Sequence, residues 1–102
     1  MGERTYDNAS QQRGFALAFA LAGHELHGLS PTDLAKALKV TPPTITRDLY
    51  NLGRAGVVEK IDTTGRYRLA PKLVRVAIAY LTTMDDAERH LANLKNKYSR
   101  ES

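Results

Sequence analysis

The chain has no cysteine and no tryptophan, and its 102 residues include only two phenylalanines, two methionines and three histidines. Without thiols neither a disulfide framework nor a thiolate metal site can form. His24 and His27 could share a helical turn, but no third ligand is near them in sequence and His90 is remote, so no metal site is expected. His24 and His27 read instead as near-surface loop residues. No apolar run approaches the roughly 20 residues of a membrane-spanning helix. The polar start, Met1 to Asn8, does not read as a secretory leader, and none is expected. A soluble cytoplasmic protein that does not engage membranes is therefore expected.

Catalytic machinery is missing too. Asp33, Asp48, Glu59 and Asp62 form no evident pair, no histidine accompanies a credible nucleophile, and there is no glycine-rich phosphate loop. These acidic residues read as caps, surface partners and solvent-facing charge. The expectation is a protein that is not an enzyme, takes no cofactor and shows no small-molecule effector site.

What is present is a chain long enough for one modest core, with a formal charge of +4 and a pI near 9.6. Attraction to polyanions is permitted by that balance. Residues 1 to 41 carry four basic and four acidic side chains, residues 42 to 70 five and three, and residues 71 to 102 six and four. The basic excess begins near Pro42.

That position is also where the most informative segment turns. Ser30 is a good N-cap, Pro31 suits the first helical position, and Asp33 completes a capping box. Thr41-Pro42 repeats the start signal soon after Leu38, so two short helices meet at a tight turn. Leu34, Ala35 and Leu38 share one face of the first helix, and Ile45, Leu49 and Leu52 one face of the second. Val40 can plug the angle between them. This is the layout of a helix-turn-helix, whose second helix enters the DNA major groove. Two capped helices also occur in any small helical domain, so the flanking segments decide the reading.

Residues 1 to 9 are polar and aperiodic and are expected to be flexible. A first helix follows, capped by Ser10, with Phe15, Ala18, Phe19 and Ala22 on its buried face, Leu17 and Leu21 on its flank and Gly23 as its stop. The link Leu26-His27-Gly28-Leu29 can supply a minimal strand and a hydrophobic staple at Leu29. Beyond the motif, Gly56 is placed to end the second helix, and Gly53 marks a spot where another element approaches closely. Residues 57–61 and 66–69 read as a hairpin around Gly65, with Tyr67 and Leu69 apolar and Arg66 and Arg68 cationic. Such a hairpin directly after the motif is the wing of a winged helix. Its apolar face must rest on the helices.

Pro71 opens a helix to Met84 that is apolar nearly all round, and Asp85 or Asp86 restarts another with basic residues in its last turns. Ala77, Tyr80, Leu81, Met84, Ala87, Leu91, Leu94 and Tyr98 form the expected dimerisation surface; a last helix folded back on a monomer is the alternative. The fold class is thus mainly α with a small β-hairpin: a winged helix-turn-helix over 10–70 after a flexible segment over 1–9, followed by two C-terminal helices over 71–102 for homodimerisation.

The run from Leu34 to Glu59, with Gly65-Arg66-Tyr67-Arg68-Leu69, resembles the N-terminal DNA-binding domain of IclR-type bacterial transcriptional regulators. The matching features are Leu34-Ala35, Arg47, Leu49, Leu52, Gly56-Val57 and Tyr67, and the likeness covers roughly residues 11 to 80. Family members normally continue into an effector-sensing domain, for which this chain has no room. Either it is a fragment or it is a stand-alone binder of a phage or mobile-element kind, and Met1 with the capped last helix favours an intact small protein. The Pro42-Pro43 pair also departs from the pattern: Pro43 has no amide to offer a phosphate.

The resemblance and the motif together lead to double-stranded DNA as partner. Pro43, Thr44 and Arg47 are expected at base edges, Arg47 gripping guanine. Ser30, Thr32, Thr46, Tyr50, Asn51 and Arg54 are expected at the DNA backbone, with Lys60, Arg66 and Arg68 reaching it from the wing. A protein-interaction winged helix or an architectural DNA-binding protein is the alternative.

Overall fold

A computed structural model of the chain describes residues 6–101, so residues 1–5 of the expected flexible segment lie outside the described residues. Helix α1 spans Ala9–Leu21. Its cap is Asn8 rather than Ser10: the Asn8 carboxamide oxygen accepts from the Gln11 amide at 3.0 Å, and Ser10 already lies inside the first turn. Gly23, with φ of 88°, follows its end as expected.

The buried face of α1 is the opposite of the one its phenylalanines indicate. Gly14, Leu17 and Leu21 are buried, whereas Phe15 and Phe19 are 66% and 74% exposed. Gly14 lets the Leu52 side chain come within ordinary contact distance of where a Cβ would stand, and Leu17 and Leu21 then reach the centre.

Helix α2, Pro31–Leu38, and helix α3, Pro42–Arg54, form the helix-turn-helix. The capping box of α2 is complete, with the Asp33 amide donating to Ser30 Oγ at 3.0 Å and the Ser30 amide to Asp33 Oδ2 at 3.4 Å. Helix α2 ends on Lys39, which takes the left-handed conformation at φ 58°. The chain thereby reverses so that the Val40 amide bonds the Ala35 carbonyl at 3.1 Å, and Val40 packs on the core as its place in the turn requires. Gly56, at φ 82°, terminates the α3 region. A Cβ on Gly53 would meet only the Val58 carbonyl at 3.9 Å, so no element crowds that position.

Strands β1, Val58–Ile61, and β2, Arg66–Leu69, pair antiparallel with Val58 opposite Leu69 and Glu59 opposite Arg68. Leu29 adds the expected minimal strand, exchanging backbone bonds of 2.9 and 2.8 Å with Tyr67. Gly28 makes that approach possible: its φ is 68°, and a Cβ there would lie 2.5 Å from the Tyr67 carbonyl oxygen. The core under this frame contains Leu17, Leu21, Leu34, Ala35, Ile45, Leu49 and Val58. Each fully buried leucine or isoleucine contributes about 2 kcal/mol.

Helix α4 runs unbroken over Pro71–Glu101, in place of the two C-terminal helices expected. Asp85 and Asp86 resemble a helix start, yet no glycine or proline interrupts the backbone around them, and neither aspartate breaks a helix. Thr83 bonds back to the Ala79 carbonyl at 3.0 Å and Asp86 pairs with Arg89 along the surface. Only the base of α4 meets the domain: Lys72 Nζ donates to the Ala55 carbonyl at 3.3 Å and Leu73 is half-buried. Residues 74–100 are all exposed, so neither side of the helix rests on the winged helix. The longest dimension of the molecule is 66 Å.

Candidate nucleic-acid interface

With Ile45 and Leu49 facing the core, helical geometry turns Pro43, Arg47, Tyr50 and Arg54 outward at spacings of four, three and four. All four are exposed. Among the described residues no hydrogen bond or ion pair engages the guanidinium of Arg47 or Arg54, so both are available to an incoming anion. Two prolines start the helix, and Thr41 makes no side-chain cap bond. The Thr41 and Thr44 hydroxyls instead bond each other at 2.9 Å. Thr44 is half-buried.

Two further polar residues of α3, Thr46 and Asn51, turn back on their own helix. Thr46 Oγ1 donates to the Pro42 carbonyl at 3.1 Å, and the Asn51 carboxamide to the Arg47 carbonyl at 3.0 Å. Across the turn, Thr32 is exposed on the first turn of α2 while Ser30 is half-buried and occupied in its capping box. The Ser30 bonds, aided by Arg66 and Lys36, hold the Asp33 carboxyl below the usual carboxylate range.

The wing arginines do not form a free cationic face. Arg66 donates through Nε to the His27 carbonyl at 3.0 Å and through both Nε and Nη2 to the Gly28 carbonyl, with Asp33 at 3.7 Å. Arg68 donates to Glu59 at 2.9 Å on the opposite strand. Every residue of β2 is half-buried. Lys60 is exposed and is the wing cation with no such partner among the described residues.

Asp48, grouped in the sequence with the acids expected as caps, surface partners and solvent-facing charge, is buried. Arg13 of α1 holds it, with Nε on Oδ2 and Nη2 donating to Oδ1 at 3.1 Å. That carboxylate raises the Arg13 guanidinium above its ordinary pKa, chiefly through the hydrogen bond. The pair lines an open cleft between α1 and α3 shared with Ser10, Gln11, Arg47 and Asn51. The pair was not legible in advance because 35 residues separate its members.

On α4, Leu73, Ala77, Tyr80, Met84, Ala87, Leu91, Leu94 and Tyr98 recur at alternating steps of four and three. Leu81 lies beside this seam, as do Val74 and Val76, while Ile78 is turned further round the helix. The larger members are exposed, Tyr80 at 66% and Leu91 at 54%. Because the helix is continuous, the expected residues from Ala77 to Tyr98 lie along one helix. Among the described residues no group of histidines and acids could hold a metal, and no helix is long and apolar enough to cross a membrane.

No protein-family model matches the chain. A glycerol operon regulatory protein of Streptomyces coelicolor is 36% identical over 72 residues, which are 71% of this chain and 28% of that protein. An IclR family transcriptional regulator from Brucella abortus superposes with a TM-score of 0.64 at 22% identity, covering 74% of this chain and 28% of the other. A variant of MepR, the Staphylococcus aureus transcription regulator, in complex with an oligodeoxyribonucleotide superposes at 0.53 with 25% identity, covering 89% and 67%. The chain thus spans little more than a quarter of the length of the first two. It is a winged helix-turn-helix domain related to transcriptional regulators, and these relatives are not enzymes.

Proposed function

We propose that the chain binds double-stranded DNA sequence-selectively as a homodimer and regulates transcription, as an IclR-type DNA-binding domain of a bacterium, phage or mobile element. One observation carries the reading: α3 presents an exposed stripe whose two guanidiniums, Arg47 and Arg54, have no partner among the described residues. Arg47 sits nearer the helix start and reads a base edge, with Pro43 and Thr44 beside it; a guanine offers it two acceptors. The Thr44 hydroxyl retains capacity for a second bond while shared with Thr41. Arg54, Tyr50, Thr32 and the second amide hydrogen of Asn51 grip phosphates, with Ser30 near them; Thr46 joins them once its hydroxyl leaves the Pro42 carbonyl, and Lys60 reaches a neighbouring phosphate from the wing.

The α4 seam supports the homodimer. Accessible surface totals 8055 Å², against about 5,700 Å² for a compact monomer of this mass. The difference exceeds the roughly 800 Å² that each partner buries in a standard interface. Two copies joined along α4 present two recognition helices to half-sites about one DNA turn apart. Residues 71–102 are then the dimerisation element and 10–70 the reading unit.

Selection of bound duplexes from a random pool tests this reading directly, and a symmetric recovered motif is the expected result. Arg47→Ala is expected to weaken binding to that motif at least tenfold more than binding to random duplex. Equal weakening of both at fixed salt would remove Arg47 as a reader. Weak binding to all DNA alike, together with a stable complex with a partner protein, would favour a protein-interaction winged helix instead.

A further inference from the structure

Asp48 is the buried charged residue of the described core, and it lies within the helix offered to DNA. A carboxylate there has two costs. Unpaired, it would be desolvated without compensation. Its charge would also oppose the phosphates flanking the groove. Arg13 meets both demands with a two-pronged grip on the two oxygens, and the Asp48 side chain is left only 9% exposed.

The grip supplies something that the surrounding contacts lack. Ile45 and Leu49 hold α3 by burial, which is non-directional. A guanidinium fork on a carboxylate is directional, since both bonds are kept over a narrow range of angles. Rotation of α3 by about 20° would swing a side-chain tip about 6 Å from its axis by about 2 Å. That displacement takes a hydrogen-bonding group off its base edge.

We infer that Arg13 is a positioning residue for DNA recognition: by holding both oxygens of Asp48 it fixes the rotation of α3 and with it the aim of Arg47. This rests on the DNA-binding reading above. In this role Arg13 acts through Asp48, to which Nε and Nη2 donate; its remaining N–H groups are the reason the salt slope is measured.

The test uses the full chain, the duplex recovered by selection and a random duplex, titrated at several salt concentrations. Arg13→Met is expected to lower affinity for the selected duplex at least tenfold and for the random duplex less than threefold, with the salt slope unchanged. Arg13→Lys keeps the charge and loses the fork. It is expected to lose selectivity in the same direction, and it carries the test if the methionine variant does not fold. A fall of about one in the salt slope, with both duplexes weakened alike, would make Arg13 a phosphate contact and overturn the inference. Retained selectivity in Arg13→Lys would also overturn it. If the unaltered chain selects no sequence, the DNA-binding reading falls, and the inference with it.

Discussion

Arg66 on the wing and Asp33 in the first turn of α2 approach to 3.7 Å, so one carboxylate both closes the Ser30 capping box and faces the hairpin. The wing is further tied down by Arg66 bonds to the carbonyls of His27 and Gly28. Hairpin and helix-turn-helix are therefore joined by polar contacts as well as by the Tyr67 backbone.

The Asp33 carboxyl is held below its ordinary range by Ser30 first and Arg66 and Lys36 after it. A folded-state value below the unfolded one means the group adds stability above the unfolded value and loses it as pH falls through the folded one. The melting temperature should therefore drop on the acid side of the usual carboxylate range. Asp33→Asn should start lower at neutral pH and show a shallower acid decline. Thermal melts from pH 7 downward would show an unchanged slope if Asp33 had no such role.

Lys39 occupies the left-handed region without being glycine. That conformation costs a side-chain-bearing residue about 1 kcal/mol. Lys39→Gly should therefore stabilise the domain by up to about that amount, with added unfolded-state entropy offsetting part of the gain. A urea titration showing a lower midpoint would mean that the lysine side chain contributes more than its backbone costs.

The wing cations should separate by assay. Lys60→Ala is expected to reduce the salt slope of DNA binding by about one while leaving the melting temperature nearly unchanged. Arg66→Ala should lower the melting temperature by several degrees because it leaves carbonyls and Asp33 without their partner. The reverse assignment of these effects would place Arg66 on the DNA.

Leu91→Asp should break the α4 pairing without unfolding the winged helix, since residues 74–100 do not rest on it. Sedimentation should report a monomer. Affinity for a two-half-site duplex should fall at least tenfold, while affinity for a single half-site stays near its original value. A variant that remains dimeric would exclude the seam as the interface.

The helix-turn-helix was legible because its signals are local. Ser30, Pro31 and Asp33 announce one helix, Pro42 the next, and the apolar spacing of each points inward. Helix α1 was harder, since Phe15 with Phe19 and Leu17 with Leu21 satisfy the same periodicity. The choice between the two faces is made by the tertiary packing of Leu17 and Leu21 with residues of α2, α3 and β1, which no local pattern encodes. The wing was placed correctly, but the Arg66 bonds to carbonyls 38 and 39 residues away carry no local pattern. The Arg13–Asp48 pair is equally non-local. At Asp85 and Asp86 the acidic signal of a helix start was present without the backbone break that gives it meaning.

The unbroken backbone of α4 makes it a lever about 46 Å long, anchored through its first turn at Ala55 and Gly56. A tilt of about 10° at that anchor moves the far end by about 8 Å. In the proposed homodimer, clamping the far ends of two such levers would set the angle between their bases, and so the span between the paired Arg47 side chains. The stiffness of residues 82–86, where no kink intervenes, would then determine which half-site spacing such a pair can straddle.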